Sequence, residues 1–204
     1  MVYQCIPVGF MQVNCYLIGD PKTQDAILID PGAEGKRLTD ILKVGGWKLR
    51  AILLTHGHFD HIGGIDELLC AFPGTPVYLH PSDAPMLQDP EKNLSFMSPV
   101  PVTTFVAPRS IVAGDEISVG SERLVVYHTP GHSAGSVSYY TDGILFSGDT
   151  LFFESIGRFY FGSYSDILYS LDQLLRLPED TEVFPGHGPK TTVGHEKNNN
   201  PYAR

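Results

Sequence analysis

Thr55-His56-Gly57-His58-Phe59-Asp60-His61-Ile62-Gly63-Gly64 puts three imidazoles and a carboxylate between positions 56 and 61. These are the ligands that Zn²⁺ and similar divalent ions take where one coordination position must stay open to water. The preceding Ala51-Ile52-Leu53-Leu54 is apolar and reads as a buried strand. The ligand-type residues therefore sit in a loop at a strand end, where rigid scaffolds present chemistry. His56 and His58, two apart in extended chain, can reach one ion together. Asp60 and His61 follow with a different phase, and face a second ion or orient a water. Each ion then lacks ligands, which the rest of the chain must supply.

Three later stretches repeat the arrangement of a short apolar run, a glycine and a ligand-type residue. Leu124-Val125-Val126-Tyr127 leads to Thr129-Pro130-Gly131-His132, Ile144-Leu145-Phe146 to Ser147-Gly148-Asp149, and Glu182-Val183-Phe184 to Pro185-Gly186-His187. Glycine lets the backbone turn sharply and brings the next side chain close to a site. Any one of these stretches alone reads as a surface histidine or a turn former. Four in one setting point to a shared centre. Asp30, in Ile29-Asp30-Pro31-Gly32, reads either as a turn former or as a carboxylate behind a ligand histidine. His80 lacks the preceding glycine, and His128 lies on a strand; neither reads as a ligand.

The chain has 204 residues, 42% apolar and 18% charged, which suits one folded domain over 1–204 with no separate C-terminal substrate domain. A net charge of −9 argues against nucleic acid and against an anionic membrane as partners. Met1-Val2-Tyr3-Gln4 does not begin a signal peptide, and no apolar run has the length to span a bilayer. The expectation is a cytoplasmic protein acting on a small molecule, its oligomeric state left open. Cys5, Cys15 and Cys70 are widely spaced and read as reduced, partly buried small hydrophobes.

Patterning predicts strands at 4–8, 13–18, 26–29, 77–79, 116–119, 122–128, 136–140 and 144–147, with helices over 34–44 and from Ile65. A further helix is predicted from a Ser165 cap to about 177, and a short one in the tail. Residues 81–114 carry six prolines and little periodicity, as cleft-bordering loops or plain surface excursions do. Arg158 and Tyr160 follow Asp149 among aromatics. Arg158 is the candidate for holding a substrate carboxylate, because its planar fork pairs bidentately with one; a structural ion pair is the alternative.

His56-x-His58-x-Asp60-His61, His132 in TPGHSAGS, Asp149 in FSGDTLF and His187 in FPGHG, in that order along nearly the whole chain, resemble the metallo-β-lactamase-fold hydrolases. Within them the chain is most similar to short glyoxalase II-like (hydroxyacylglutathione hydrolase-like) enzymes. The resemblance implies a four-layer αββα sandwich of the α/β (α+β) class. It implies two divalent ions, zinc first, with iron or manganese also accepted by these ligand types. His56, His58 and His132 would hold one ion, Asp60, His61 and His187 the other, with Asp149 bridging. The His at position 58 argues against the diiron redox branch, which carries Glu there. Full-length glyoxalase II has a helical C-terminal domain that supplies basic residues for glutathione, so the expectation is thioester or small-ester hydrolysis without commitment to glutathione.

The expected chemistry is attack by hydroxide made from a metal-bound water whose pKa falls from about 15.7 toward about 7, with Asp60 orienting it. Two rivals stand beside it. One is a persulfide dioxygenase using a single iron, and the other a metal-binding protein without turnover.

Overall fold

The computed structural model describes residues 1–98, 100–159 and 162–203. The first half of the chain gives β1 (Val2–Val8), β2 (Val13–Asp20), β3 (Asp25–Ile29), α1 (Gly35–Val44), β4 (Lys48–Leu53), α2 (Phe59–Ile62), α3 (Ile65–Ala71), β5 (Val77–Leu79) and β6 (Arg109–Ser110). The second gives β7 (Glu116–Val119), β8 (Glu122–His128), β9 (Val137–Thr141), β10 (Ile144–Gly148), β11 (Leu151–Phe152), β12 (Ser155–Ile156), α4 (Tyr164–Leu174), β13 (Glu182–Pro185), β14 (Thr191–Thr192) and α5 (Val193–Asn199). One sheet runs β1-β2-β3-β4-β5-β6 and the other β14-β13-β10-β9-β8-β7, with β11-β12 a separate ribbon.

The apolar runs are continuous because each sheet is covered on both faces. Alternate residues of one strand belong to different cores. Leu17 and Leu28 pack outward with Leu38 and Leu42 of α1 and Leu68 of α3, while Ile18 and Ile27 point inward to meet Val126, Tyr139 and Phe146 of the opposite sheet. On the far side Leu145 and Val183 turn away from that inner core toward Ile167, Leu171 and Leu174 of α4. Helix, sheet, sheet and helix are thus held by three apolar layers, the αββα order expected from the motifs. Each fully buried Leu or Ile contributes roughly 1.5–3 kcal/mol by removal from water.

The ends of β4, β8, β10 and β13 lead directly to the four ligand-bearing stretches. Bonds between the sheets hold those ends together. Val137 N–H donates to the Thr55 carbonyl at 2.8 Å, and the Tyr139 hydroxyl to the Leu54 carbonyl at 2.7 Å. Asn14 reaches across from β2, its side-chain amide donating to the carbonyls of Pro185 (3.0 Å) and Gly188 (2.9 Å), and the Tyr16 hydroxyl donates to Pro185 at 2.6 Å.

Some local expectations are corrected. The cap of α4 is Ser163, whose hydroxyl accepts from Asp166 N–H at 3.2 Å, not Ser165, and the helix ends at Leu174 rather than near 177. Asp60 and His61 lie on the single helical turn α2, not in extended loop. Of the cysteines, Cys15 is buried while Cys5 and Cys70 are exposed. The segment after β5 holds two 3₁₀ turns, Pro81–Gln88 and Ser95–Met97.

Gly131 shows what docking α4 requires. Its φ is +132°, and a Cβ there would lie 2.2 Å from the backbone nitrogen of Ile167. Gly131→Ala is therefore expected to cost about 2–4 kcal/mol, read as a lowered urea midpoint of the metal-free protein.

Candidate metal centre

Three overlapping groups of donor atoms meet at the shared rim of the two sheets: His56, His58 and His132; His56, His61 and Asp149; and Asp60, His61 and His187. Within each group the donor atoms lie within 4.8 Å of one another. All seven residues singled out by motif are brought together. His58 Nδ1 is 2.8 Å from His132 Nε2. Asp149 stands between the groups, with Oδ1 3.5 Å from His61 Nε2 and Oδ2 3.6 Å from both His132 Nε2 and His187 Nε2. Asp60 Oδ2 lies 3.3 Å from His187 Nε2.

Several of these atoms are buried and without a hydrogen-bond partner: His56 Nε2, His61 Nε2 and Asp149 Oδ1. An unpaired buried polar atom costs about 1–3 kcal/mol, and several converging ones of imidazole and carboxylate type fit the donor set of a divalent cation. Electrostatics agree. Burial, followed by neighbouring imidazoles, holds His56 well below the ordinary histidine range. Burial and His132 hold His58 at about 3. Both are therefore neutral, the form a metal takes. Burial would lower His61 too, but the carboxylates of Asp30, Asp149 and Asp60 override it and raise it to about 10. Burial would raise Asp60, but His61 and His187 outweigh it and keep the carboxylate ionised.

Both readings of Asp30 hold. Its φ is 51°, a turn conformation, and its Oδ2 lies 3.0 Å from His61 Nδ1. Its carboxylate also accepts from Thr55 N–H (2.7 Å) and the Thr55 hydroxyl (2.6 Å), joining the ends of β3 and β4 behind the site. His132 is aimed from its other nitrogen, Nδ1 donating to the Arg158 carbonyl at 2.6 Å. Gly186 is obligatory for close approach, since a Cβ there would sit 2.2 Å from Asp149 Oδ1.

Asp83 is a residue that motif reading missed. Buried in the 3₁₀ turn after β5, its carboxylate accepts from Gly57 N–H (3.1 Å), the Ser133 hydroxyl (2.6 Å) and Gly135 N–H (2.7 Å). It thereby clamps the loop carrying His56 and His58 to the loop carrying His132. Its one sequence signal is a capping-type Ser82-Asp83 after His80-Pro81, which says nothing of the contact. His80 and His128 stay out of the donor groups and stack on each other, centroids 4.4 Å apart and planes at 6°. Arg158 is exposed and lines the cleft beside His58, His132 and His187. Its side chain makes no ion pair among the described residues. Tyr160 lies outside the described residues.

Residues 8–187 match the family model of the metallo-beta-lactamase superfamily, and the chain belongs to that superfamily. It is 41% identical to probable metallo-hydrolase YqgX of Bacillus subtilis, over 99% of this chain and 97% of that protein. It is 36% identical to a hydroxyacylglutathione hydrolase of Vibrio cholerae, over 81% of this chain and 58% of that one. Among solved structures, the BLEG-1 B3 metallo-beta-lactamase superposes with a TM-score of 0.92 at 40% identity, covering 99% of both chains. TTHA1623 in a di-iron-bound form superposes with 0.86 at 37% identity, covering 98% of this chain and 99% of that one. No helix among the described residues is long and apolar enough to cross a membrane.

Asp83→Asn replaces an acceptor by a donor facing two backbone N–H groups and a hydroxyl. We expect a loss of about 1–3 kcal/mol, seen as a lower melting temperature, together with weakened Co²⁺ uptake in a titration followed by absorbance.

Proposed function

We propose that this protein is a metal-dependent hydrolase of small-molecule thioesters, glyoxalase II-like in chemistry. The observation that carries the reading is the set of buried, unpartnered donors on His56, His61 and Asp149 within overlapping groups of the right ligand types. On this reading His56, His58 and His132 would hold one divalent ion and Asp60, His61 and His187 a second, with Asp149 available to both. Zinc is the ion we assign first, with iron and manganese admitted by the same ligands. When bound, such ions lower the pKa of a water and polarise a carbonyl.

The chain's own groups supply the rest. Asp60 is ionised and half-buried at the cleft wall, so its carboxylate can accept a hydrogen bond from the attacking water and orient it. Asp30 and the Arg158 carbonyl hold His61 and His132 in one ring orientation. The cleft, about 260 Å³, has Arg158 as its single Lys or Arg among lining residues, suited to one carboxylate of the substrate. Tyr160, beside it in sequence, completes the proposed substrate contacts. A thiolate leaves without a strong acid to protonate it, which fits a site with no cation-bearing acid beyond the imidazoles. We assign the reaction to the cytoplasm, on the strength of three free cysteines, with the whole chain as one catalytic unit.

Metal-loaded protein offered a panel of thioesters, S-lactoylglutathione among them, is expected to release thiol. Asp60→Ala should lower that rate by about 10²–10³ with native far-UV circular dichroism. Unchanged turnover in Asp60→Ala, or sulfite from persulfides with a single bound iron, would overturn the reading. A second outcome follows from charge. His61, raised to about 10, must release a proton before it can bind a cation, whereas His56 and His58 are already neutral. Against burial, Asp60 and Asp149 raise His187 as well, so affinity at the Asp60–His61–His187 group should rise at least tenfold per pH unit between pH 6 and 8, as calorimetric Zn²⁺ titrations would resolve.

A further inference from the structure

Beside the metal cleft lies a second cavity of about 340 Å³, and the two share Met11, Phe59 and Asp60 in their walls. Its apolar surface comes from Val8, Phe10, Met11, Ala33, Phe59 and Val102. We infer that this groove receives an uncharged apolar acyl chain of the substrate, so that the enzyme favours medium-chain acyl thioesters over acetyl ones. The inference rests on the hydrolase reading above, since it takes the scissile bond to lie at the donor groups.

Two independent observations point to this occupant. The first is the charge of the walls. Among the described residues no Lys or Arg lines the groove, whereas Glu34, Asp60 and Glu67 do. An anionic group would face all three carboxylates. A cationic one would find them engaged. Glu34 accepts from Gly9 N–H at 2.8 Å and from Arg37 at 2.7 Å, Glu67 accepts from Lys36 N–H at 2.9 Å, and Asp60 faces His187. Most of the remaining surface is hydrocarbon. The second is the tip of the β1–β2 hairpin. Phe10 is 71% and Met11 45% exposed, yet both turn to the groove, Phe10 stacking on Phe59 at 6.2 Å and 24°. Large apolar side chains left bare at the mouth of a cleft mark a binding surface, and a chain laid between them would take that surface out of water. Arg158 lines the metal cleft but not the groove. It claims the half of the thioester that bears a carboxylate, which leaves the uncharged acyl half for Phe59 and its neighbours.

The test holds the thiol constant and lengthens the acyl chain from acetyl to octanoyl. Each methylene removed from water is worth up to about fourfold in binding, so kcat/KM is expected to rise at least tenfold across the series, chiefly through KM. Phe10→Ser, at an exposed position that folding does not need, and Val102→Trp, which fills the groove, should each cut the octanoyl-to-acetyl ratio at least fivefold. The same comparison with acetohydroxamate and octanohydroxamate binding to zinc-loaded protein, by calorimetry, reads the groove without turnover. Thiol release with no dependence on chain length would sink the groove and leave the hydrolase standing. Absence of thiol release from every thioester, with octanohydroxamate still binding at least tenfold tighter and losing that margin in Val102→Trp, would sink the hydrolase and leave the groove. Equal binding of both hydroxamates would overturn the inference on its own.

Discussion

Lone pairs that converge on a common point repel one another until a positive charge comes between them, and the rest of this molecule is arranged around enforcing that convergence. His56 and His58 are kept neutral by burial. His61 is held well above its ordinary range because three carboxylates surround it, and Asp60 and Asp149 raise His187 too. Such a cluster would spread apart on a pliable loop. Here the donors lie in stretches that follow strands, and those stretches are tied by side chains of Asn14, Tyr16, Tyr139, Asp30 and Asp83 bonding to backbone.

Those ties work because the sheets behind them do not give. Alternation of Leu17 with Ile18, and of Leu28 with Ile27, sends neighbours into separate apolar layers. A one-residue slip in β2 or β3 would exchange the two sets and also displace Asp30 from Thr55. Packing and chemistry are thus coupled through register. The inner core fixes which face each strand shows, and that decides where its last residue points.

Much of this was legible in the sequence. Four apolar runs, each ending in a ligand-type residue, gave away both the strands and the centre, because buried strands and metal ligands each have narrow residue requirements. His56 with His58, and Asp60 with His61, each share a donor group, although His56 and His61 also share one and the second pair rides a helical turn. What stayed hidden has a common cause. Asp83 meets Gly57 and Gly135 only after folding, and no spacing along the chain encodes that meeting. The choice of Ser163 over Ser165 as a cap turns on which hydroxyl faces the open N–H of Asp166, a matter of backbone geometry between two equally suitable residues. Asp30 carried two readings because a left-handed turn and a contact to His61 demand the same residue type.

The bond from Asn14 to the Pro185 carbonyl joins residues 171 positions apart. While the chain is being made, the second strand leaves the ribosome long before its partner exists, so its amide waits in water through most of synthesis. The rim can close only when the final quarter of the polypeptide arrives, and the cation-binding pocket is accordingly a product of completed translation. A copy truncated before Pro185 would lack His187 and this brace together.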